Sequence, residues 1–232
     1  DLYLSLPPGR RLSQYSQQDK TFHISLADGT DCVRYHDMVQ KLAVFFIETA
    51  YYVDMRDPSW KVLYLTLQHS DDRFSLVGYV TLYHFASPFR KPVPGTVVRV
   101  CQALILPPYQ RSGHGQALLH AVFDYATLNG IVEVNCEDPA PGFAALRVLV
   151  DYQRFVQSGR SWFETNSKSE VTDSSFFTPL SDAQASQVTG VAKTTGKQVQ
   201  MVYEIAKLRR LEALDLASND NREALEKRFR LM

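Results

Sequence analysis

The strongest constraint on the fold of this 232-residue chain is one continuous strand, turn and helix in its middle. Residues 97–106 are mostly apolar and rich in β-branched side chains, which predicts a central β-strand. Pro107 and Pro108 end the strand, because proline cannot donate a hydrogen bond to a neighbouring strand. The loop 110–115, Gln-Arg-Ser-Gly-His-Gly, follows, and apolar spacing over 115–128 predicts a helix directly after it. This order of elements indicates an α/β protein.

The glycines of this loop, Gly113 and Gly115, leave several backbone N–H groups uncovered at the start of the helix. Such groups, with the partial positive charge of the helix dipole, can cradle a phosphate or pyrophosphate. A glycine-rich turn without a ligand explains the glycines alone equally well. A dinucleotide-binding loop needs Gly-x-Gly-x-x-Gly, and this loop has only the Gly-x-Gly part. A nucleoside-triphosphate loop needs one residue fewer between its glycines than residues 190–197 have. The loop therefore predicts an anion site that belongs to neither of these two nucleotide-binding classes.

The rest of the chain completes a mixed pattern of strands and helices. Residues 157–180 are rich in serine and threonine, which indicates a linker or surface loops. The remaining expected elements are a helix at 35–54, strands at 60–67, 76–85 and 131–136, and helices at 143–155, 181–191, 198–216 and 221–231.

Composition excludes several classes of protein. The 25 Lys and Arg residues balance 25 Asp and Glu residues, so overall charge gives no reason to expect nucleic-acid binding. The sequence has no apolar run of about 18 residues, so no transmembrane helix is expected. Three cysteines without Cys-x-x-Cys spacing predict reduced thiols, and we expect no metal site. The chain begins without an initiator methionine or a signal-peptide pattern, as expected for part of a longer protein.

The central segment is similar to a known family. Gln-x-x-Gly-x-Gly between a long strand and a helix resembles motif A of the GNAT acetyltransferases, and residues 104–115 resemble the type B histone acetyltransferases in particular. Three more segments agree with that family in the same order, namely 46–50, 137–139 and 202–205. The resemblance implies an α/β GNAT acyl-CoA N-acyltransferase fold, with a mixed β-sheet flanked by helices and a C-terminal helical extension.

The same resemblance implies a division of the chain and a co-substrate. Residues 1–34 would be the remnant of an N-terminal domain, 35–160 the catalytic core and 161–232 a C-terminal helical region. Acetyl-CoA would be the co-substrate, with backbone groups of Ala103, Leu104 and Ile105 facing its pantetheine arm. The loop would bind the pyrophosphate through Gln110, Arg111, Ser112, Gly113, His114, Gly115 and Gln116.

Two details qualify this cofactor assignment. We interpret the His114 side chain as a packing or hydrogen-bonding group, not as a catalytic one. The turn at 140–143, Ala-Pro-Gly-Phe, departs from the more polar version of the family. The resemblance therefore gives little support for side-chain contacts to coenzyme A from that turn.

Acetylation of a lysine needs a neutral amine, and free lysine has a pKa of about 10.4. A carboxylate at the amine can take the proton, after which the amine attacks the thioester directly. The resemblance implies Glu137 as this general base, with Asp138 as second choice, although Asp-Pro at a strand end is also an ordinary turn. Glu48 is either a third carboxylate of the cleft or a solvent-facing residue at a helix edge. Cys136 has no partner base nearby, which disfavours a covalent intermediate.

Aromatic residues at two strand ends form the last candidate site. Trp60 begins one predicted strand, and Tyr83, His84 and Phe85 end the next, so they can form one wall of a peptide groove. Core packing is the alternative. The resemblance implies a substrate lysine on the N-terminal tail of newly synthesised histone four, a WD-repeat histone-binding partner and a location in nucleus and cytoplasm. The alternatives are a GNAT enzyme acting on another protein or a small amine, and an inactive acyl-CoA-binding histone scaffold.

Overall fold

The computed structural model describes residues 3–48, 50–71, 73–90, 94–158 and 178–213. The chain forms two compact units, of which the first comprises Asp1–Arg90 with Pro94–Pro139 and the second Ala140–Met232 with Lys91–Val93.

The first unit is built on a β-sheet with seven strands among the described residues. The spatial order is β2-β3-β4-β5-β6-β7, with β1 paired to β5. Every neighbouring pair is antiparallel except β6 and β7, which are parallel, so the sheet is mixed as expected. The strands are β1 Tyr3–Leu4, β2 Arg10–Gln17, β3 Lys20–Asp28, β4 Trp60–Gln68, β5 Phe74–Ser87, β6 Gly95–Ile105 and β7 Glu133–Cys136.

The strands predicted from the sequence are present, with ends that differ by a few residues. The central strand predicted at 97–106 is β6, and both of its neighbours, β5 and β7, were also predicted. β2 and β3 extend the same sheet on the far side of β4. Strands on both sides of residue 34 therefore belong to one sheet, and the three-part division of the chain stays a prediction.

The helix predicted at 35–54 is wrong in its second half. The structure has α1 at Val33–Val39, a short 3₁₀ turn, and α2 at Ala43–Phe46. Ile47 adopts an extended backbone, with φ −122° and ψ 115°. The Gln40 side chain bonds both backbone groups of Val53, and residues 50–53 form a loop without regular secondary structure. A long-range side-chain contact has thus overruled the local apolar spacing.

Helices cover both faces of the sheet. On one face, residues of α1 and α2 pack with Val62, Tyr64, Tyr79 and Leu104 in a buried apolar cluster. On the other face lies α3, His114–Leu128, whose Tyr125 bonds His84 of β5. Because neighbouring side chains of a strand point to opposite faces, His84 lies on the face of α3 and Tyr83 on the face of α1 and α2.

The second unit is helical over its described residues. Its helices are α4 Pro141–Ser158, α5 Asp182–Ala192 and α6 Gly196–Ala213, which confirms three of the four predicted C-terminal helices. A buried ion pair joins Arg147 to Asp151 at 2.8 Å, and Arg147 also donates to Thr194 at 3.0 Å. The helix predicted at 221–231 and most of the segment at 157–180 lie outside the described residues. No helix of the described part could span a membrane.

One polar side chain is embedded in the apolar cluster of the first unit. His36 on α1 has no exposed surface, and its Nδ1 lies 3.0 Å from the Tyr64 hydroxyl. The His36 ring also lies edge-on to Tyr79, with ring centres 5.5 Å apart. Burial lowers the pKa of His36 from 6.5 to about 4, because the charged imidazolium would lose its hydration.

The stability of the fold should therefore decrease as the pH falls from 6.5 towards 4. Over this range the unfolded chain takes up a proton at His36 that the folded chain does not, so unfolding becomes easier by about 3 kcal/mol. Urea unfolding at several pH values tests this. The decrease in the free energy of unfolding should be smaller by about 3 kcal/mol in His36→Gln. His69→Gln, at the sheet surface, is the matched control and should keep the decrease of the wild type. A variant with the pH dependence of the wild type would contradict the assignment to His36.

Candidate functional site

The central feature of the site is an opening between β6 and β7. The two strands pair only from Val97 opposite Glu133 to Val100 opposite Cys136. One further bond, from the Glu137 N–H to the Val100 carbonyl at 2.9 Å, closes the paired region. Beyond it, β6 continues from Cys101 to Ile105 without a strand partner on the β7 side among the described residues. Part of a central strand thus presents a free backbone edge.

A bulge at Cys101 decides which backbone groups face this opening. The register with β5 shifts there, because Leu82 is opposite Val100 while Thr81 is opposite Gln102. The Gln102 N–H donates to Thr81 Oγ1 at 3.0 Å, and the Leu106 N–H donates to the Val77 carbonyl at 2.9 Å. Both donors point towards β5, so alternation turns the backbone groups between them, at Ala103 and Ile105, to the opening.

This alternation separates the three residues predicted to contact pantetheine. Ala103 and Ile105 direct their N–H and carbonyl groups into the opening, where the Ile105 carbonyl accepts from Gln110 Nε2 at 2.8 Å. Leu104 does not, because its backbone groups face β5 opposite Tyr79 and its side chain is buried in the apolar cluster. The predicted backbone role of Leu104 is therefore corrected to a core role.

The glycine loop ends at the N-terminus of α3, beside the open edge of β6. Gly113 precedes α3 with φ +83°, a left-handed conformation that glycine adopts without strain. The first bond within the helix runs from the Ala117 N–H to the Gly113 carbonyl, so the N–H groups of His114 and Gly115 precede the helical hydrogen bonds at the start of α3. A Cβ atom added at Gly113 would meet no atom within 4 Å. The site is thus open to an anion at the positive end of a helix.

The side chain of His114 fixes this loop to the N-terminal strands. His114 is buried, its Nδ1 lies 2.6 Å from the Tyr15 hydroxyl of β2, and its ring centre lies 4.4 Å from that of Phe22 on β3. Burial lowers the pKa of His114, which keeps the ring neutral. Gln17 of β2 also donates to the Ser112 carbonyl at 3.0 Å. The interpretation of His114 as a packing residue agrees with these contacts, and the role of residues 15–22 was missed.

Of the three predicted carboxylates, Glu137 lies where β6 and β7 separate and has a side-chain hydrogen bond. It follows β7, is exposed, and accepts a 3.0 Å hydrogen bond from the hydroxyl of Tyr51. Cys101 of the bulge interacts with both residues, and burial raises the pKa of its thiol to about 12. Asp138 is exposed in a turn with φ +32°. Glu48 is exposed in the turn after α2 and does not lie on a helix as predicted.

Four aromatic rings run from Glu137 along the same face of the sheet. Trp60 of β4 lies directly opposite Tyr83 of β5, with ring centres 4.9 Å apart. Tyr51 lies 6.4 Å from Trp60, and Phe85 lies 6.3 Å from Tyr83. We call these four residues the aromatic row. Trp60, Tyr83 and Phe85 are half-buried and Tyr51 is exposed, so the row offers a surface for an extended peptide.

His84 does not belong to the aromatic row, although the sequence placed it there. Its Nε2 lies 2.9 Å from the hydroxyl of Tyr125 on α3, and its Nδ1 lies 3.2 Å from the Ser59 carbonyl. Burial lowers the pKa of His84, so the ring is held neutral on the α3 face. The physical reason is the alternation of a β-strand, which points His84 away from Tyr83 and Phe85.

A charged network extends the aromatic row at its far end. The Arg99 guanidinium lies 5.1 Å from the Phe85 ring centre and donates to Asn135 at 3.4 Å. Asn135 in turn donates to Glu133, which pairs with Arg90 at 2.9 Å. Sequence reasoning missed this network because its members come from three separate segments. Among the described residues, no group of three His, Cys, Asp or Glu is placed to hold a metal ion.

Comparison with known proteins gives one family. Residues 35–149 match the model of the acetyltransferase (GNAT) family. The matched segment contains the open strand edge, the loop at the start of α3, Glu137 and the aromatic row.

Several relatives share one description, histone acetyltransferase type B catalytic subunit. The protein from Mus musculus is 30% identical over 204 residues, which cover 84% of this chain and 45% of the relative. The protein from Schizosaccharomyces pombe is 33% identical over 149 residues, which cover 64% of this chain and 39% of the relative. One from Dictyostelium discoideum is 32% identical over 166 residues, which cover 65% of this chain and 33% of the relative. The chain thus spans less than half the length of these relatives.

The loop geometry predicts the effect of a side chain at Gly113. Gly113→Val should weaken the binding of coenzyme A, the ligand implied by the sequence, by at least about tenfold, because valine fills the space at the helix N-terminus. Gly130→Val is the matched control, since Gly130 at the other end of α3 also has positive φ (+65°) and open space around it. Calorimetry on both folded variants gives the affinities. Equal affinities would remove the loop from the binding site.

Proposed function

Because the chain belongs, through residues 35–149, to the GNAT acetyltransferase family, we propose that it transfers acetyl groups from acetyl-CoA to histone lysines. The specific substrate we propose is the N-terminal tail of newly synthesised histone four. The observation that supports the proposal best is the open edge of β6 lying between an anion-binding helix start and Glu137. The descriptions of the relatives support a histone as the acceptor.

The described residues fit acetyl-CoA along this edge. The N–H groups of His114 and Gly115 suit the negative charge of a pyrophosphate, and α3 adds its dipole. The backbone groups of Ala103 and Ile105 can pair with the amides of a pantetheine arm as a neighbouring strand would. Acetyl-CoA supplies the thioester, and the chain supplies the surfaces that hold it beside Glu137.

In the proposed reaction Glu137 is the general base. Its carboxylate accepts a proton from the lysine ammonium, which leaves the neutral amine free to attack the thioester carbonyl carbon. A backbone N–H of Ala103 or Ile105 stabilises the negative oxygen that develops there. The carbon–nitrogen bond forms, the carbon–sulfur bond breaks, and the leaving thiolate takes up the second proton that the attacking nitrogen loses. The thiol of Cys101, kept protonated by its pKa of about 12, does not compete as a nucleophile.

A turnover assay with acetyl-CoA tests the proposal against its alternatives. Acetylation of a histone-four tail peptide should be faster than that of an unrelated lysine peptide or a polyamine. A preference for the polyamine would indicate a different GNAT substrate class. Binding of coenzyme A and peptide without turnover would indicate an inactive scaffold.

The role of Glu137 predicts a large loss of rate in Glu137→Gln. The value of kcat should fall by about 10²–10⁴-fold, because the amide cannot take the proton, while the affinity for acetyl-CoA stays near that of the wild type. Steady-state kinetics and calorimetry measure the two quantities. Asp138→Asn is the matched control and should have a small effect. A large loss of kcat in Asp138→Asn, with a near-normal kcat in Glu137→Gln, would assign the role of general base to Asp138. Small losses of kcat in both variants would assign it to Glu48.

The aromatic row predicts a separate effect on the peptide. Trp60→Ala should raise the KM for a histone-four tail peptide without changing the affinity for acetyl-CoA. Since Trp60 is only half-buried, the loss of stability should stay below the about 3–5 kcal/mol of a fully buried tryptophan. Peptide kinetics and thermal melting are measured together, with Phe89→Ala as a control on an exposed ring outside the row. A destabilised Trp60→Ala protein with unchanged KM would make Trp60 a core residue only.

The proposal extends to a partner and a location. A WD-repeat histone-binding protein, implied by the family resemblance, would present the histone to the aromatic row. The same resemblance supports a location in both nucleus and cytoplasm. Gel filtration of the chain with a purified WD-repeat histone chaperone, with and without histone four, tests the complex.

A further inference from the structure

The hydroxyl of Tyr51 contacts Glu137 where β6 and β7 separate. It donates a 3.0 Å hydrogen bond to Oε2 of the carboxylate. Tyr51 lies in the loop 50–53, which the sequence predicted to be helical and which contributes no other side-chain hydrogen bond to Glu137 among the described residues. The next residue, Tyr52, is more exposed, at 64% compared with 45% for Tyr51. Two adjacent tyrosines thus differ in one contact with the base.

The position of Tyr51 is fixed from the sheet. Gln102 of β6 donates from Nε2 to the Tyr51 carbonyl at 2.6 Å. Gln102 is itself buried and accepts from the Tyr79 hydroxyl at 3.3 Å. The Tyr51 ring lies beside Trp60, the first ring of β4. β6, the strand that would bind the acetyl donor, therefore also fixes the loop whose Tyr51 hydroxyl bonds Glu137.

The surroundings keep Tyr51 in the donor role. Burial, followed by hydrogen bonding to Cys101 and Glu137, raises the pKa of Tyr51 well above its usual value, so the hydroxyl stays protonated. Titratable or charged groups near Glu137 include its chain neighbours Cys136 and Asp138, the Cys101 thiol, and the Arg99 guanidinium that interacts with that thiol. A carboxylate oxygen only accepts hydrogen bonds, so the donated bond from Tyr51 restricts the orientation of the Glu137 carboxylate.

We propose that Tyr51 is a positioning residue for the reaction, whose hydroxyl orients the Glu137 carboxylate at the mouth of the β6–β7 opening. The inference rests on the proposed role of Glu137 as general base. Tyr51 itself need not touch the substrate, and it acts through the 3.0 Å bond to Glu137. Its ring, which contacts Trp60, is a separate contribution to the aromatic row.

The test is the kcat of Tyr51→Phe, measured together with the KM for the peptide. This variant keeps the ring and removes only the hydroxyl, so folding and peptide contacts should be retained. The value of kcat should fall about threefold to tenfold, because the carboxylate is no longer held in one orientation. The KM for the peptide should stay near that of the wild type.

The matched control is Tyr52→Phe, which removes the hydroxyl of the adjacent tyrosine. Its kcat should equal that of the wild type. Thermal melting and acetyl-CoA affinity should be unchanged in both variants. An unchanged kcat in Tyr51→Phe would overturn the proposal, as would an equal fall of kcat in Tyr52→Phe.

A double-mutant cycle separates this inference from the proposed function. If Tyr51 acts through Glu137, Tyr51→Phe should cause no further loss of kcat in a Glu137→Gln background. A full additional loss there would show a role independent of Glu137 and overturn the positioning role. If the wild type does not acetylate, or Glu137→Gln keeps its rate, the proposed function fails first. An active wild type with a sensitive Glu137 and an insensitive Tyr51 defeats only the present inference.

Discussion

The site depends on the interruption of pairing between β6 and β7. Parallel pairing ends at Val100 and Cys136, and the Glu137 N–H makes the last bond across the gap. Backbone groups in a sheet interior normally bond to a neighbouring strand, because leaving them without partners is costly. An opening in a central strand is therefore suited to a ligand that can act as the missing strand. The bulge at Cys101 then selects the backbone groups of Ala103 and Ile105 to meet it.

The parts around the opening are connected through side-chain contacts. Tyr15 and Phe22 of the first two long strands hold His114, and thereby the start of α3. Gln102 on β6 holds the loop of Tyr51, and Tyr51 contacts Glu137. Such contacts place the proposed anion site, acceptor base and aromatic row on one sheet, which restricts their relative motion. Orientation of this kind is a large part of what a transferase contributes to rate.

The comparison between sequence and structure is clearest at α2. Apolar spacing predicted one helix over 35–54, yet Phe45 is 79% exposed and the helix ends at Phe46. The bonds from Gln40 to Val53 fold the following residues back, and no local pattern reveals a contact between residues 13 positions apart. Glu48 consequently lies in an exposed turn, and Tyr51, which no motif identified, lies beside Glu137. The error in one helix thus concealed a member of the candidate site.

By itself the sequence determined the elements that local chemistry dictates. A β-branched run before two prolines makes a strand, glycines make an anion-accepting turn, and the motif around Gln110 and Gly113 identified the GNAT family, which the comparisons confirm. The tertiary structure alone decided the inward backbone groups, the opposite faces of His84 and Tyr83, and the meeting of Tyr51 with Glu137. Those outcomes depend on strand register and on contacts between distant residues. A one-residue bulge can reverse which side of a strand its backbone groups face, and periodicity along the chain encodes neither the register nor the distant contacts.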